Sequence, residues 1–170
     1  MRYRMVYRFI SKGKTAFKIS LPTPEGKRIN RSIGFVRKGE SKAIKEAIKL
    51  RNELGRDHWK KFWPRVLRDE KLLHRISKMN VQPRLTTIKY NVNGNEFKKE
   101  VYCVQWMDEN GVQCYASRAT KKHGRAAAYL IAKRIMYDGM ERYLDILLYM
   151  EIITRADLRQ VNTYLKDIKQ

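Results

Sequence analysis

The chain has 170 residues, 43% hydrophobic and 32% charged, with 38 Lys and Arg against 17 Asp and Glu and a net charge of +21. An apolar fraction near the globular average excludes a disordered basic tail, and the length suits one domain or two small ones, two being the expectation. No run of about 18 apolar residues occurs and the N-terminus lacks an apolar signal core, so a soluble, non-exported, cytoplasmic protein without membrane contact is expected.

Tyr3, Met5, Tyr7 and Phe9 alternate with Arg2, Arg4, Val6 and Arg8, which predicts a half-buried first strand, with a turn at Ser11 to Lys14. Phe17, Ile19 and Leu21 alternate with Ala16, Lys18 and Ser20 in a second strand. Pro22 to Gly26 reverses the chain, and Ile29 and Ile33 continue the apolar face in a third. Ser41 is the expected N-cap of a helix whose stripe is Ala43, Ile44, Ala47, Ile48, Leu50 and Leu54, with Gly55 ending or weakening it. Trp59, Phe62 and Trp63 read as core, and Arg65 to Met79 as a second helical stretch closed by Asn80 to Pro83.

The plan then repeats. Asn93-Gly94 and Asn110-Gly111 are turn dipeptides flanked by alternating residues, and Ile88, Tyr90 and Val92 are expected on one face with Tyr102, Val104 and Trp106. A helix from about Gly124 through Met136 carries Ala126, Ala127 and Ala128, small enough to lie close on a three-stranded sheet. Tyr143 to Ile153 is nearly continuous apolar sequence. Thr154 with Asp157 resembles a capping box for a last helix bearing Leu158, Val161, Leu165 and Ile168. These tail helices either cap the second module or pair with a second subunit, and a homodimer through 141–170 is the favoured expectation because the tail is neutral.

The expected fold class is therefore α+β: two small modules, each a three-stranded antiparallel sheet packed on one helix, joined by a helical connector and followed by a helical tail. The expected divisions are 1–64, 65–83, 84–140 and 141–170. Their charges differ: 18 Lys and Arg against 5 Asp and Glu give +13 in the first, followed by +3, +5 and 0. Basic charge concentrated on small sheet-plus-helix modules points to nucleic acid as partner. His58, His74 and His123 are scattered. Cys103 and Cys114 form no C-x-x-C pair and are expected as reduced thiols, so neither a metal nor another cofactor is expected.

Tyr7-Arg8-Phe9-Ile10, Phe17-Lys18-Ile19-Ser20, Gly26-Lys27-Arg28, Ile33-Gly34-Phe35 and the helix from Ser41 resemble the AP2 (integrase-type) DNA-binding domain. Tyr102 to Trp106, Glu109 to Gly111, Thr120 to Gly124 and Ala126 to Ala132 resemble the variety found in phage and mobile-element proteins. The resemblance implies a sheet lying in the DNA major groove, its face opposite the helix reaching bases and phosphates. Large aromatics are frequent in that family's third strand, where this chain has Ser32 and Ala116.

Carried over by position, and matched by the alternation itself, the DNA-binding face comprises Arg4, Arg8, Lys18, Ser20, Arg28, Asn30 and Ser32, then Thr87, Lys89, Asn91, Gln105 and Arg118. Cys103, Cys114 and Ala116 share the second face. Arginine suits guanine, asparagine and glutamine suit adenine, and lysine holds phosphate. The expected function is sequence-specific binding of double-stranded DNA by a transcriptional regulator, of repressor type, from a phage or mobile element, with no small-molecule substrate. Two alternatives stand beside it: the DNA-targeting part of a homing endonuclease or recombinase, and a double-stranded RNA binder. An enzyme is not expected, because no clustered histidines or closely spaced carboxylates are present and the modules leave little chain for a catalytic domain.

Overall fold

The structure, a computed structural model, describes residues 6–108 and 110–167, with side chains described through 163. It is α+β and contains two three-stranded antiparallel sheets, each followed by helices. The chain divides into two compact units, residues 1–73 and 74–170. Among the described residues no helix is long and apolar enough to cross a membrane.

In the first unit, β1 (Ile10–Lys12), β2 (Ala16–Pro22) and β3 (Arg28–Gly34) form a meander. Helix α1 (Glu40–Trp59) lies on one face of it. The contact is close because α1 presents fully buried Ala43 and Ala47 to Phe17 and Ile19. Methyl-sized side chains on the helix let the larger sheet residues fill the space between the two layers. Phe17 and Phe35 close one end of this core with ring centroids 5.3 Å apart. Trp59 closes the other, its indole nitrogen donating to the Pro22 carbonyl at 2.8 Å.

Residues 1–5 of the expected first strand lie outside the described residues, and its remainder, Val6 to Phe9, is not a strand. Val6 and Tyr7 form a helical turn, Phe9 reverses the chain at φ 65°, and only Ile10–Lys12 pairs with β2, through Ile10↔Ile19 and Lys12↔Phe17. The cause is Arg51, buried within α1, whose Nη1 donates to the carbonyls of Val6 (2.7 Å) and Arg8 (3.2 Å). Those carbonyls are gathered onto the helix instead of a neighbouring strand. Phe9 then rests against Trp63, centroids 6.1 Å apart. Ser41 does not cap α1 either. The N-cap is Gly39 at φ 79°, two residues earlier, so the helix starts at Glu40, which pairs with Lys12 at 2.7 Å.

Gly55 does not end α1. It lies inside the helix beneath the Trp63 indole, whose ring carbons a β-carbon would approach to 2.3 Å. The expected helix from Arg65 to Met79 is two short ones, α2 (Trp63–Arg68) and α3 (Leu72–Ser77). Asp69 separates them: its backbone is extended, and its carboxylate accepts the Lys71 N–H at 3.1 Å, a local turn that competes with helix.

In the second unit, β4 (Arg84–Val92), β5 (Asn95–Met107) and β6 (Gln113–Ala119) form another meander, followed by the single turn α4 (Thr120–His123) and by α5 (Arg125–Gly139). Helix α5 covers one sheet face with fully buried Ala128 and Ala132, and Gly139 at its end admits the Trp106 indole. Helices α6 (Glu141–Tyr149) and α7 (Arg155–Asp167) complete the unit.

The tail caps this unit, the first of the two arrangements expected of it. Tyr143, Ile146, Leu147, Ile153 and Val161 are all buried, and α7 packs on α5. The capping box is present: Thr154 N–H donates to Asp157 Oδ2 (3.0 Å) and Asp157 N–H to Thr154 Oγ1 (3.1 Å). The side chain of Leu165, and Ile168 altogether, lie outside the described residues. Asp157 also accepts from the buried Lys133 ammonium at 2.6 Å. Burial pulls the Lys133 pKa down, but the hydrogen bond it donates to Asp157 and nearby negative charge leave it above the ordinary lysine value. Hydrogen bonds from Lys133 and Thr154 hold the Asp157 carboxyl down at about 2.

Two outcomes follow from this packing. Gly55→Ala improves helix propensity by about 1 kcal/mol yet drives a methyl into Trp63. The clash should win, lowering unfolding free energy by about 1–3 kcal/mol in urea titration, and a stabilised variant would contradict the packing. Asp157→Asn leaves the buried Lys133 charge without its carboxylate and should cost about 3 kcal/mol near neutral pH. Because the folded pKa is depressed, that stabilisation is complete above the unfolded value near 4 and fades as pH falls towards 2. Thermal melts across this window should therefore show a shallower acid limb in the variant than in the wild type.

Candidate nucleic-acid interface

Pairing in β1–β3 assigns each side chain to a face. Phe17, Ile19 and Leu21 are buried towards α1, with Ile33, Arg31 and Ile29 directly opposite them on β3. The intervening residues point away from the helix. Lys18 sits opposite both Ser11 and Ser32, Ser20 opposite Asn30, and Pro22 opposite Arg28. Five expected contacts, Lys18, Ser20, Arg28, Asn30 and Ser32, thus share one open face, as alternation along β2 and β3 requires. Ser11 joins them unforeseen, because the first strand begins later than its aromatic pattern indicates.

The centre of this face is small and polar. Ser11, Ser20, Asn30 and Ser32 line a shallow trough with the stem of Lys18, and Arg28 reaches over it, its Nη1 donating to Ser20 Oγ at 2.9 Å. No acidic residue occupies a strand position on this face. The acids of α1 pair with lysines away from this face: Lys12 with Glu40, Lys38 with Glu46, Lys49 with Glu53, and Lys60 with Asp57. Cations on the other surfaces are partly neutralised, while Lys18 and Arg28 project over an acid-free sheet.

Arg8 has to be removed from this set. It precedes the sheet, donates from Nη1 to the Leu67 carbonyl at 3.3 Å and stacks over Phe9 at 4.8 Å. Burial lowers its pKa, opposed by the charges of Glu70 and Asp69. It serves as a structural tie. Arg4 lies outside the described residues.

The second sheet departs further from expectation. Trp106 meets Gly139 on α5, Tyr102 packs edge-on against Tyr129 at 5.4 Å, and Glu100 binds Arg125 through both oxygens (3.0 and 2.8 Å), so even-numbered residues of β5 face the helix. The two-residue turn Asn93-Gly94, with φ of 51° and 84°, sets Val92 opposite Asn95, Tyr90 opposite Phe97 and Ile88 opposite Lys99. Even residues of β4 consequently share a face with odd residues of β5. Ile88, Tyr90 and Val92 lie on the open face, not with Tyr102, Val104 and Trp106.

The site assignments invert with the register. Thr87, Lys89 and Asn91 pair with Glu100, Lys98 and Glu96, and Arg118 pairs with Tyr102, so all four belong to the face on the helix side. Gln105 alone of the five expected residues is on the open face, opposite Tyr115, which is 67% exposed. Cys114 and Ala116 pair with Trp106 and Val104 on the helix side, whereas Cys103 pairs with Ser117 on the open side. The two thiols therefore point to opposite sides of the sheet. The open face offers Arg84, Lys99, Gln105, Tyr115 and Ser117, a more aromatic and less cationic surface than that of the first unit. Counting back from the Asn93-Gly94 turn would have found these residues.

Comparison with known proteins finds no matching family model, no curated relative and no similar solved structure.

Proposed function

We propose that the chain is a sequence-specific double-stranded-DNA-binding protein that lays the open face of β1–β3 in the major groove. The observation that carries this reading is the acid-free trough, in which Lys18 and Arg28 flank Ser20, Asn30 and Ser32. Three strands spaced about 4.8 Å apart make a slab about 10 Å across, and the major groove is about 12 Å wide. Short side chains in the middle let base edges come near, and Asn30 carries the amide pair that adenine accommodates. Arg28, steadied by Ser20, is the group suited to guanine, and Lys18 to phosphate.

The net charge of +21 supports the same reading, since it draws the chain to a polyanion and keeps copies of it apart. The resemblance noted on the sequence agrees, and with it the role of a regulator of a phage or mobile element.

Anisotropy titrations on a duplex selected from a random library test this. Arg28→Ala should weaken the selected site by about 1–3 kcal/mol and relax one base position. Lys18→Ala should weaken all duplexes alike and make the salt slope shallower by about 1. Lys49→Ala, removing a charge 79% exposed on α1, should leave the selected site unaffected apart from a small general loss. Tighter binding to duplex RNA, or affinity unmoved by Arg28→Ala and Lys18→Ala together, would reject the proposal.

A further inference from the structure

The strands β4 and β5 pair over nine rungs, from Arg84↔Cys103 to Val92↔Asn95, but β6 pairs with β5 only from Val101 onward. Residues 87–100 therefore stand out as a two-stranded arm. Six residues per strand at about 3.4 Å each give it a reach of about 20 Å. Isolated ribbons of this kind bury little, and here every residue from Arg84 to Lys99 is exposed.

The open face of the arm is apolar where solvent would favour polar groups. Ile88, Tyr90, Val92 and Phe97 are 41%, 45%, 46% and 45% exposed, and the rings of Tyr90 and Phe97 stack with centroids 5.7 Å apart and planes 21° apart. Lys99, opposite Ile88, lies two rungs from that pair, next to it on the same face, and Arg84 lies farther along that face. On the reverse side Lys89 is directly opposite Lys98, and like charges so placed destabilise a ribbon. Lys89 is partly compensated by Glu96 at 3.3 Å. A second copy would bring the same cations together, whereas a polyanion removes the repulsion.

We infer that the arm binds an unpaired DNA strand, with Tyr90 and Phe97 as the platform on which a base stacks and Lys99 as a phosphate contact. Exposed ring faces favour unpaired bases, because in a duplex the base faces are already stacked and only their edges are open to the groove. The inference rests on the proposed DNA-binding function and adds to it: the first sheet holds the duplex, and the arm holds a strand where the duplex is open.

The experiment uses the full chain and a labelled dT oligomer of about 12 nucleotides, within the usual site size for single-strand binders, alongside the selected blunt duplex. Replacing both rings, Tyr90→Leu with Phe97→Leu, keeps the ribbon apolar but removes its ring faces. It should weaken dT binding roughly ten- to hundredfold and leave the blunt duplex unchanged. Tyr90→Phe should retain dT binding. Lys99→Glu, an exposed change that spares the rings, should also weaken dT binding, so that the idea stays testable if the leucine variant misfolds. Absence of dT binding by the wild type, dT affinity untouched by either variant, preference for oligo(U) over dT, or a dimer that the leucine variant dissociates would each overturn it. Arg28→Ala, read on the blunt duplex, separately reports whether the proposed function itself fails.

Discussion

A sheet of three strands can be covered by one helix on one side only, and this constraint shapes both units. Each unit meets it with a helix whose contact residues are alanines, Ala43 and Ala47 in α1 and Ala128 and Ala132 in α5, all fully buried. A glycine in each helix then admits an indole, Gly55 beneath Trp63 and Gly139 against Trp106. Helix and sheet can approach closely only if the helix side chains are small, and the bulk comes from the sheet or from neighbouring segments. The other sheet face is not covered by that helix; in the first unit Lys18, Asn30 and Ser32 are exposed on it, and in the second Lys99, Gln105 and Tyr115 are exposed while Val101 is buried.

The two open faces have diverged on this common plan. In the first unit the face is short, polar and cationic, with no acid among its strand residues, and the acids Glu40, Glu46 and Glu53 of α1 pair with other lysines. In the second it extends past the third strand into an arm bearing stacked aromatic rings, and the negative charge of Glu100 is taken up by Arg125 on the helix side. The proposed duplex contact draws on the first surface, and the inferred contact with unpaired bases on the second. A shared plan of three-stranded sheet and helix thus presents two different chemistries, set by which residue types fall at alternate strand positions and by the longer β4 and β5.

The interior polar groups are structural. Arg51 collects two carbonyls of the N-terminal segment and turns it away from the sheet, and Arg8 ties that segment to Leu67. Lys133 and Asp157 join α5 to the capping box of α7, so the tail is held by charge as well as by Val161 and Ile153. Charge buried in this way fixes geometry because each group must find its partner or bear a large desolvation cost.

Local sequence determined much of this protein: its α+β class, two repeated modules, the alternation that puts Lys18, Ser20, Arg28, Asn30 and Ser32 on one face, the alanine stripes and the Thr154–Asp157 box. These follow from period-two and helical spacing and from contacts between residues near in the chain. Tertiary structure decided the rest. Val6 to Phe9 do not extend the first strand, because Arg51, more than forty residues away, draws the Val6 and Arg8 carbonyls onto α1. Gly55 reads locally as a helix stop but is a seat for Trp63. The faces of Thr87, Lys89, Asn91 and Arg118 were set by strand register, in which a displacement of one residue moves every side chain to the other side. Alternation says which residues lie together within a strand, and only pairing between strands says which of those sets turns towards the helix.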